Sequence, residues 1–246
     1  MSTETTAYLT TLREGIDRIE HDLAAIASAA DLLARCIGDD GIVHVFGSGH
    51  SAMLAQEVFH RAGGLVPFNA MLDINLTIFG TAHATRLERM EGYAPAVLTN
   101  HDVRPGDVVI VISTSGVNPV PIELAETVKQ VGARVVAITS AEAYRDARSR
   151  HSSGRKLADV ADVVLDTRVP EGDAVVPVGN AGVRVGATST VLGATLLNLL
   201  VVETSRLLDA MGVPVPAFVS QNVPGGDEHN ALLIERYGRR LPLMKP

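Results

Sequence analysis

The chain contains 246 residues, of which 46% are hydrophobic, 20% are charged and 4% are aromatic. This length and composition predict one globular domain over residues 1–246. The 21 basic and 28 acidic residues give a formal net charge of −7, which argues against nucleic acids and anionic membranes as partners. The single cysteine, Cys36, excludes a disulfide framework, and neither a signal peptide nor a membrane-spanning run is recognisable, so we expect a cytoplasmic protein.

Apolar residues recur every three or four positions at the start of the chain, which is the spacing of one helix face. They predict a long N-terminal helix over residues 4–37. A turn rich in glycine and aspartate, Gly38 to Gly41, ends this helix. A short β-branched strand, Ile42 to Phe46, is predicted next, and a helix, Ala52 to Ala62, follows it.

The alternation of strand and helix patterns continues along the chain. Further strands are predicted at Leu65 to Asn69, Val108 to Ile112, Arg134 to Thr139 and Val163 to Leu165. Near-continuous apolar strands of this kind are typical of a parallel sheet that is buried on both faces. The pattern predicts the α/β class, with a doubly wound, Rossmann-like parallel sheet of about five strands flanked by helices, in which ligands bind at the carboxyl ends of the strands.

The segment Thr188 to Met211 is apolar on nearly every side and predicts a late helix. Such a helix needs cover from another element or from a second subunit, which favours an oligomer. Residues 212–246 are expected to complete a site or an interface. Two stretches, Arg148 to Gly154 and Pro170 to Arg184, match neither a helix nor a strand pattern.

Two polar turns follow predicted strands: Gly47 to Ser51 (GSGHS) and Ser113 to Gly116 (STSG). Small residues and hydroxyls at a helix N-terminus favour an anion such as phosphate. Each turn alone is equally compatible with an ordinary helix cap. The first turn also matches a weak dinucleotide-binding fingerprint, with Asp73 at the spacing of its ribose-binding acid, but the three hydroxyls of the second turn argue against that interpretation.

Together with Gly186 to Thr190 (GATST) at the start of the late helix, these turns resemble the sugar isomerase (SIS) domain of phosphosugar isomerases and lyases. The resemblance spans residues 42–211, and the strings GHSAMLAQEVFHRAGGL, SRHSSGRKLADVADVV and NVPGGDEHN resemble a single-domain branch of that family. It implies a five-stranded sheet, a sugar phosphate ligand, no nicotinamide cofactor, and a homodimer or homotetramer with sites at subunit interfaces. The residues that it implies for phosphate binding are Ser48, Gly49, His50, Ser51, Ser113, Thr114, Ser115, Asn118, Thr188 and Ser189.

The sequence departs from the family pattern after the second turn. Many relatives have a charged residue and a threonine there, whereas this chain has Val117 and Asn118. An asparagine amide is still able to donate a hydrogen bond to phosphate.

The resemblance also implies a glutamate on the helix after the first strand as the catalytic base. Glu57 is the carboxylate on that helix, and an apolar setting would raise its pKa towards neutrality. The alternative is a surface glutamate paired with Arg61, four residues later.

The C-terminal string Asn222 to Asn230 carries two carboxylates and an imidazole after a glycine turn. Glu228 or His229 would serve as the proton donor, from the same or a neighbouring subunit. The alternative, which is compatible with the first, is a helix N-terminus capped by Asp227. Among the other histidines, His44 is expected to be a buried core residue.

The reaction expected from this machinery starts with removal of the proton at C2 of an open-chain amino sugar 6-phosphate, for example N-acetylglucosamine 6-phosphate. With an acetamido group at C2, β-elimination of water is favoured. With a hydroxyl at C2, aldose–ketose isomerisation follows instead. A sugar-phosphate sensor without catalysis is the alternative from another class. No spacing of histidine and cysteine matches a metal-binding motif, so neither a metal nor another cofactor is expected.

Overall fold

The computed structural model describes residues 2–179 and 182–244. The single domain predicted over residues 1–246 therefore includes residue 1, residues 180–181 and residues 245–246, which lie outside the described part of the chain.

A parallel sheet of five strands forms the centre of the described structure, as predicted. Its strands are β1 (Val43–Gly47), β2 (Phe68–Met71), β3 (Val108–Ile112), β4 (Arg134–Thr139) and β5 (Val163–Asp166). Their order in the sheet is β2-β1-β3-β4-β5. The chain therefore goes from β1 to β2 at one edge, then crosses back to β3 on the other side of β1 and continues to β5 at the opposite edge, which confirms the doubly wound topology.

Helices cover both faces of this sheet. They are α1 (Thr3–Glu20), α2 (Leu23–Gly38), α3 (Ser51–Glu57), α4 (Thr81–Glu88), α5 (Ala94–Leu98), α6 (Pro119–Val131), α7 (Leu157–Val160), α8 (Ser189–Ala210) and α9 (Gly226–Tyr237). Side chains alternate across each strand: Ile110 packs with α2, α3 and α8 on one face, while Val109 and Val111 pack with α5, α6 and α7 on the other. Burial on both faces explains why β3 is apolar throughout.

The predicted helix over residues 4–37 is two helices. Helix α1 ends at Glu20, where the amide of His21 donates to the carbonyls of Arg18 and Ile19, and α2 begins at Leu23. Both helices contact α8, but α1 also packs on the segment Ala174–Val178, whereas α2 also packs on the central sheet. Apolar spacing alone does not reveal such a change of partner.

A two-stranded antiparallel hairpin lies within the stretch that the sequence left unassigned. Its strands are β6 (Ala174–Val178) and β7 (Val183–Ala187). The hydroxyl of Tyr8 on α1 donates to the carbonyl of Ala187 at 2.8 Å, which joins the hairpin to the first helix. The hairpin therefore leads the chain directly to the start of α8.

Helix α8 confirms the predicted late helix. It is long and apolar enough to cross a membrane by length and composition alone, which corrects the expectation that no run has this character. However, 44% of its most apolar stretch is buried inside the protein, where it packs against α2 and α3. A core helix of a globular protein passes the same test.

Candidate active site

The two polar turns are neighbours in space because their strands are paired. Gly47, the last residue of β1, lies beside Ile112, the last residue of β3. The turns therefore emerge together at the carboxyl edge of the sheet, where they border a cavity of about 430 Å³. The cavity is lined by His50, Ser51, Glu88, Ser113, Thr114, Ser115, Asn118, Tyr144, Gly172, Asp173, Ala187, Ser189 and Thr190.

The first turn brings the start of α3 close to the end of β1. A Cβ atom on Gly47 would lie 2.3 Å from the carbonyl oxygen of Ser51, so only glycine fits there. His50 and Ser51 line the cavity, whereas the buried Ser48 and the half-buried Gly49 are not part of its lining. The amide of Gly49 donates to the carbonyl of Leu76 at 2.6 Å and holds the turn in place.

Backbone carbonyls in and just after the second turn are bonded to neighbouring segments. Three of them accept hydrogen bonds from other backbone amides at 2.9 Å: Thr114 from Ser140, Gly116 from Leu157, and Val117 from Arg150. In a planar trans peptide the N–H points opposite to the carbonyl. The N–H groups of the same peptides, those of Ser115, Val117 and Asn118, therefore point away from these bonded carbonyls, and Ser115 and Asn118 line the cavity.

A carboxylate that sequence reasoning missed stands inside this cavity. Glu88, the last residue of α4, lines the wall, and one of its oxygens accepts a hydrogen bond from the Ser48 hydroxyl at 2.8 Å. Ser48 is thus committed to orienting Glu88 in this structure. The stretch that carries Glu88 has no motif, so only the tertiary structure identifies it.

The N-terminus of α8 is occupied by a second carboxylate, that of Asp173. One oxygen accepts from the amides of Thr188 and Ser189, both at 2.8 Å, and the other accepts from the Ser189 hydroxyl at 2.6 Å. Asp173 precedes β6 and has a positive φ of 65°. The place that the resemblance assigns to a phosphate is therefore held here by a side chain of the same chain.

The charges around the cavity are unusual for an anion site. Glu88 and Asp173 both line it, and within residues 2–179 and 182–244 no lysine or arginine does. A phosphate would be held mainly by amides and hydroxyls rather than by a direct cation.

The predicted base, Glu57, lies outside this cavity. It is the last residue of α3, and its carboxylate forms an ion pair with Arg61, as in the alternative interpretation of the sequence. The two side chains are 36% and 45% exposed, respectively. Within one described chain, Glu57 does not face the hydroxyl-lined cavity.

The other predicted acid–base residues lie near the partner of Glu57. Arg61 lines a second cavity of about 210 Å³ together with His60, Asn222 and Asn230. His229 adjoins Asn230 at the start of α9, and its Nε2 lies 3.0 Å from the carbonyl oxygen of Ala217. The structure therefore separates the predicted proton-transfer residues from most of the predicted phosphate residues.

Glu228 is exposed in the first turn of α9. This helix begins at Gly226 and is capped by Gly225, whose φ is 79°. Asp227 consequently lies within the first turn rather than at the cap. Both acidic side chains still favour the positive end of the helix dipole.

The segment Arg148 to Gly154 docks beside the second turn. Glu91 accepts from the amide of Ser152 at 2.6 Å and from its hydroxyl at 2.8 Å, and these bonds hold the pKa of Glu91 below its ordinary value. Ligand atoms of Glu91, Glu123 and His151 lie within 4.8 Å of one another, the arrangement among the described residues that a divalent cation would suit. Both carboxylates already accept backbone hydrogen bonds, Glu123 from Gly92 at 2.7 and 2.9 Å.

Asp73, the acid of the dinucleotide fingerprint, is engaged locally. It accepts from the amide of Asn75 at 2.9 Å and from the hydroxyl of Tyr93 at 2.7 Å. The hydrogen bond to Asp73 raises the pKa of Tyr93. These contacts explain Asp73 without a ribose.

Comparison with known proteins agrees with this architecture. The SIS domain model matches residues 7–140, which is more than half of the chain. A UPF0309 protein from Geobacillus thermodenitrificans is 40% identical over 227 residues, covering 92% of this chain and 91% of the relative. One from Halalkalibacterium halodurans is 42% identical over 214 residues, covering 87% and 88%, respectively.

Solved structures show the same fold. A phosphoheptose isomerase from Francisella tularensis superposes with a TM-score of 0.54 at 18% identity, covering 84% of this chain and all of that one. The phosphoheptose isomerase from Neisseria gonorrhoeae gives 0.52 at 19% identity, covering 82% and 97%. The turns, the sheet order and these matches together establish that the chain belongs to the SIS domain family and, within it, to the UPF0309 proteins.

Proposed function

We propose that this protein is an enzyme that binds a sugar phosphate in the hydroxyl-lined cavity and removes the proton at the carbon beside the sugar carbonyl. The observation that carries the proposal is the cavity itself. Hydroxyl-bearing residues from two strand ends line one space of about 430 Å³, and Glu88, which carries a carboxylate, is part of the same lining. This volume suits a small ligand such as an open-chain hexose phosphate.

The phosphate in this proposal lies on the second turn. Ser113, Thr114 and Ser115 line the cavity and supply hydroxyls, and Ser51 adds a hydroxyl from the start of α3. The sugar then extends towards Glu88 and Asp173. Asp173, anchored on the start of α8, accepts hydrogen bonds from donors on the sugar.

Two carboxylates compete for the role of base. Glu88 is in the cavity and is oriented by Ser48. Glu57 lies about 9 Å along α3 from Ser51, a useful distance for a group acting on C2, but it is paired with Arg61 outside the cavity. Glu88 would be the base if the active site is formed within one chain. Glu57 would be the base if the site is completed between subunits, with Glu228 or His229 as the acid.

The outcome depends on the substituent at C2. The base takes the C2 proton, and the electron pair of the broken C2–H bond forms an enolate with the C1 carbonyl. If C2 carries an acetamido group, expulsion of the C3 hydroxyl with a proton from the acid gives water and a C2–C3 double bond. We favour this elimination on an amino sugar 6-phosphate such as N-acetylglucosamine 6-phosphate.

Isomerisation is the second candidate reaction. If C2 carries a hydroxyl, return of the proton to C1 with transfer of the O2 proton to O1 gives a ketose. Two proteins of the same fold are phosphoheptose isomerases, which supports this alternative at the level of the fold alone.

A sensor without catalysis is favoured by one specific observation. The carboxylate of Glu57, the base that the resemblance implies, is paired with Arg61 outside the cavity. A protein that only binds sugar phosphate needs no base.

The test is proton NMR in deuterated buffer with N-acetylglucosamine 6-phosphate, glucosamine 6-phosphate, fructose 6-phosphate and sedoheptulose 7-phosphate. With either of the two aldoses, loss of the C2 proton signal together with a new vinylic signal supports elimination. Exchange at C2 of an aldose or at C1 of a ketose, with formation of an aldose and ketose mixture, supports isomerisation. Thermal stabilisation without exchange supports the sensor, and no binding of any of the four rejects the proposal.

Matched variants identify the base. Glu88→Gln and Glu57→Gln each remove one carboxylate with little change of shape, and Glu235→Gln removes an exposed carboxylate on α9 as the control. We expect loss of a base to reduce turnover by at least about 100-fold with ligand binding retained. Full activity in either variant removes that residue from the role.

A further inference from the structure

We propose that Arg150 is a positioning residue of the phosphate site, which turns the Asn118 side chain so that its NH₂ group faces the ligand phosphate. The proposal rests on the proposed function, because it assigns a role within the same cavity. Arg150 belongs to the segment Arg148 to Gly154, for which the sequence pattern suggested no structure. The proposed role of Arg150 also accounts for Asn118, one of the two residues at which this chain departs from the family pattern.

Asn118 stands at a helix start but does not cap the helix. It is the N-cap residue of α6, a position where an asparagine oxygen ordinarily accepts from the amide two or three residues later. Here α6 begins Pro119-Val120-Pro121, so the third position has no N–H to offer. The structure shows no capping hydrogen bond from Asn118. Its side chain is therefore available for another purpose.

Arg150 makes two contacts that settle the orientation of this side chain. Its Nη1 donates to Oδ1 of Asn118 at 2.7 Å, and its backbone amide donates to the carbonyl of Val117 at 2.9 Å. A guanidinium has only donors, so the Asn118 oxygen must face Arg150. The Nδ2 group then points the other way. Because the 7% exposed Asn118 lines the cavity, that direction presents two N–H donors to a ligand.

The charge of Arg150 supplies what the cavity lining lacks. Within residues 2–179 and 182–244 the Arg150 guanidinium bonds to the neutral Asn118 amide and forms no ion pair with a carboxylate, whereas Arg155 in the same region is paired with Glu126. The lining contains Glu88 and Asp173 but no lysine or arginine among the described residues. The Arg150 guanidinium polarises the side-chain amide of Asn118, to which it is bonded. It also places a positive charge on the far side of Asn118 from the proposed phosphate.

The test measures binding of inorganic phosphate and of N-acetylglucosamine 6-phosphate by calorimetry at constant ionic strength. Asn118→Ala and Arg150→Met are expected to raise Kd for the sugar phosphate by about tenfold or more. Arg150→Lys keeps the charge but loses the fixed geometry, so it should restore part of the affinity. If the protein turns the ligand over, KM rises while kcat stays within about twofold.

Two further variants distinguish the positioning of the Asn118 side chain by Arg150 from a contact that only stabilises the fold. Asn118→Asp keeps an acceptor for Arg150 but replaces the NH₂ donors by a negative charge, so it should bind phosphate less well than Asn118→Ala. Arg148→Met removes an equal charge two residues away, from an exposed side chain, and should bind as the unaltered protein does.

The outcomes distinguish this inference from the proposed function. If the unaltered protein binds neither probe, the proposed function fails and this inference fails with it. If the unaltered protein binds and Arg150→Met or Asn118→Asp binds equally well, the positioning role alone is overturned. An equal loss in Arg148→Met also overturns it, because the effect is then one of net charge.

Discussion

The two central strands, β1 and β3, carry a polar cluster at each end, and the two clusters have opposite properties. At the carboxyl ends, hydroxyls and amides line an open cavity. At the amino ends, buried charged groups bond to one another. The contrast shows that polar residues at the end of a strand do not by themselves indicate a ligand site. A ligand site is indicated where such residues line a cavity instead of bonding to one another.

The cluster at the amino ends is centred on Asp107, whose side chain is 1% exposed. It accepts from the amides of Ile42 at 2.9 Å and Arg104 at 2.7 Å, from His44 at 3.3 Å, and from Arg240 at 2.5 and 3.2 Å. Burial by itself raises the pKa of Asp107, but these hydrogen bonds outweigh it and hold the pKa well below its ordinary value.

A chain of amide and imidazole groups extends this cluster. Asn69 donates to Nδ1 of His44 at 2.9 Å and to Nδ1 of His101 at 3.1 Å. His44 is completely buried, which agrees with its interpretation as a core residue. The nearby Cys36 thiol is also buried, and burial raises its pKa to about 12, so it is unreactive.

The largest effect is expected from removing the centre of the amino-end cluster. Asp107→Ala leaves Arg240 and His44 without their acceptor and should lower the free energy of unfolding by about 3–5 kcal/mol. Urea denaturation measures this loss. Asp102→Ala, which removes a 46% exposed carboxylate next to the same arginine, is the control and should cost about 0–1 kcal/mol. A loss below 1 kcal/mol in Asp107→Ala would show that this cluster is not structural.

A smaller effect is expected at the carboxyl-end cluster. Gly116 has a φ of 62°, and an added Cβ would lie 2.8 Å from the Thr139 hydroxyl oxygen. Gly116→Ala should cost about 1–3 kcal/mol and weaken phosphate binding, because the turn must move. Gly154→Ala shares the positive φ, at 74°, but meets no atom within 4 Å among the described residues. Phosphate affinity measured for both variants tests the difference, and an equal loss of affinity would contradict it.

The smallest effect is a dependence of stability on pH at the amino-end cluster. Burial, assisted by His44, lowers the pKa of His101 from 6.5 to about 4. The unfolded chain therefore binds a proton that the folded chain does not between about pH 6.5 and pH 4. Stability from this group is complete above pH 6.5 and falls as the pH drops towards 4, by about 1–2 kcal/mol after solvent screening. Denaturation series on the unaltered protein and His101→Gln measure it, and identical pH profiles would refute it.

Local sequence patterns predicted the frame of the protein well. Strand β4 has the predicted bounds, Arg134–Thr139, and α8 differs from its prediction by one residue at each end. Both depend on periodic apolar residues that are close in the chain. The prediction was less successful where tertiary contacts decide, as at the break between α1 and α2 and at the early end of α3 at Glu57.

The candidate site was predictable only in part. The two hydroxyl turns were placed correctly because each follows a recognisable strand, and paired parallel strands end at one edge. Glu88 was not predictable, since its contact with Ser48 spans 40 positions of the chain. Asp173 lies in a stretch without helical or strand periodicity, so nothing local indicated that it reaches the start of α8.

The sequence by itself determined the fold class, the order of the elements and the two turns that face one cavity, because these features follow from short-range periodicity and from turn residues. The tertiary structure decided which charged groups enter that cavity. Folding places Glu88 and Asp173 in it and Arg150 behind it, and it leaves Glu57 with Arg61 outside. Side-chain direction depends on packing between distant segments, and a single sequence does not encode that packing in any local pattern.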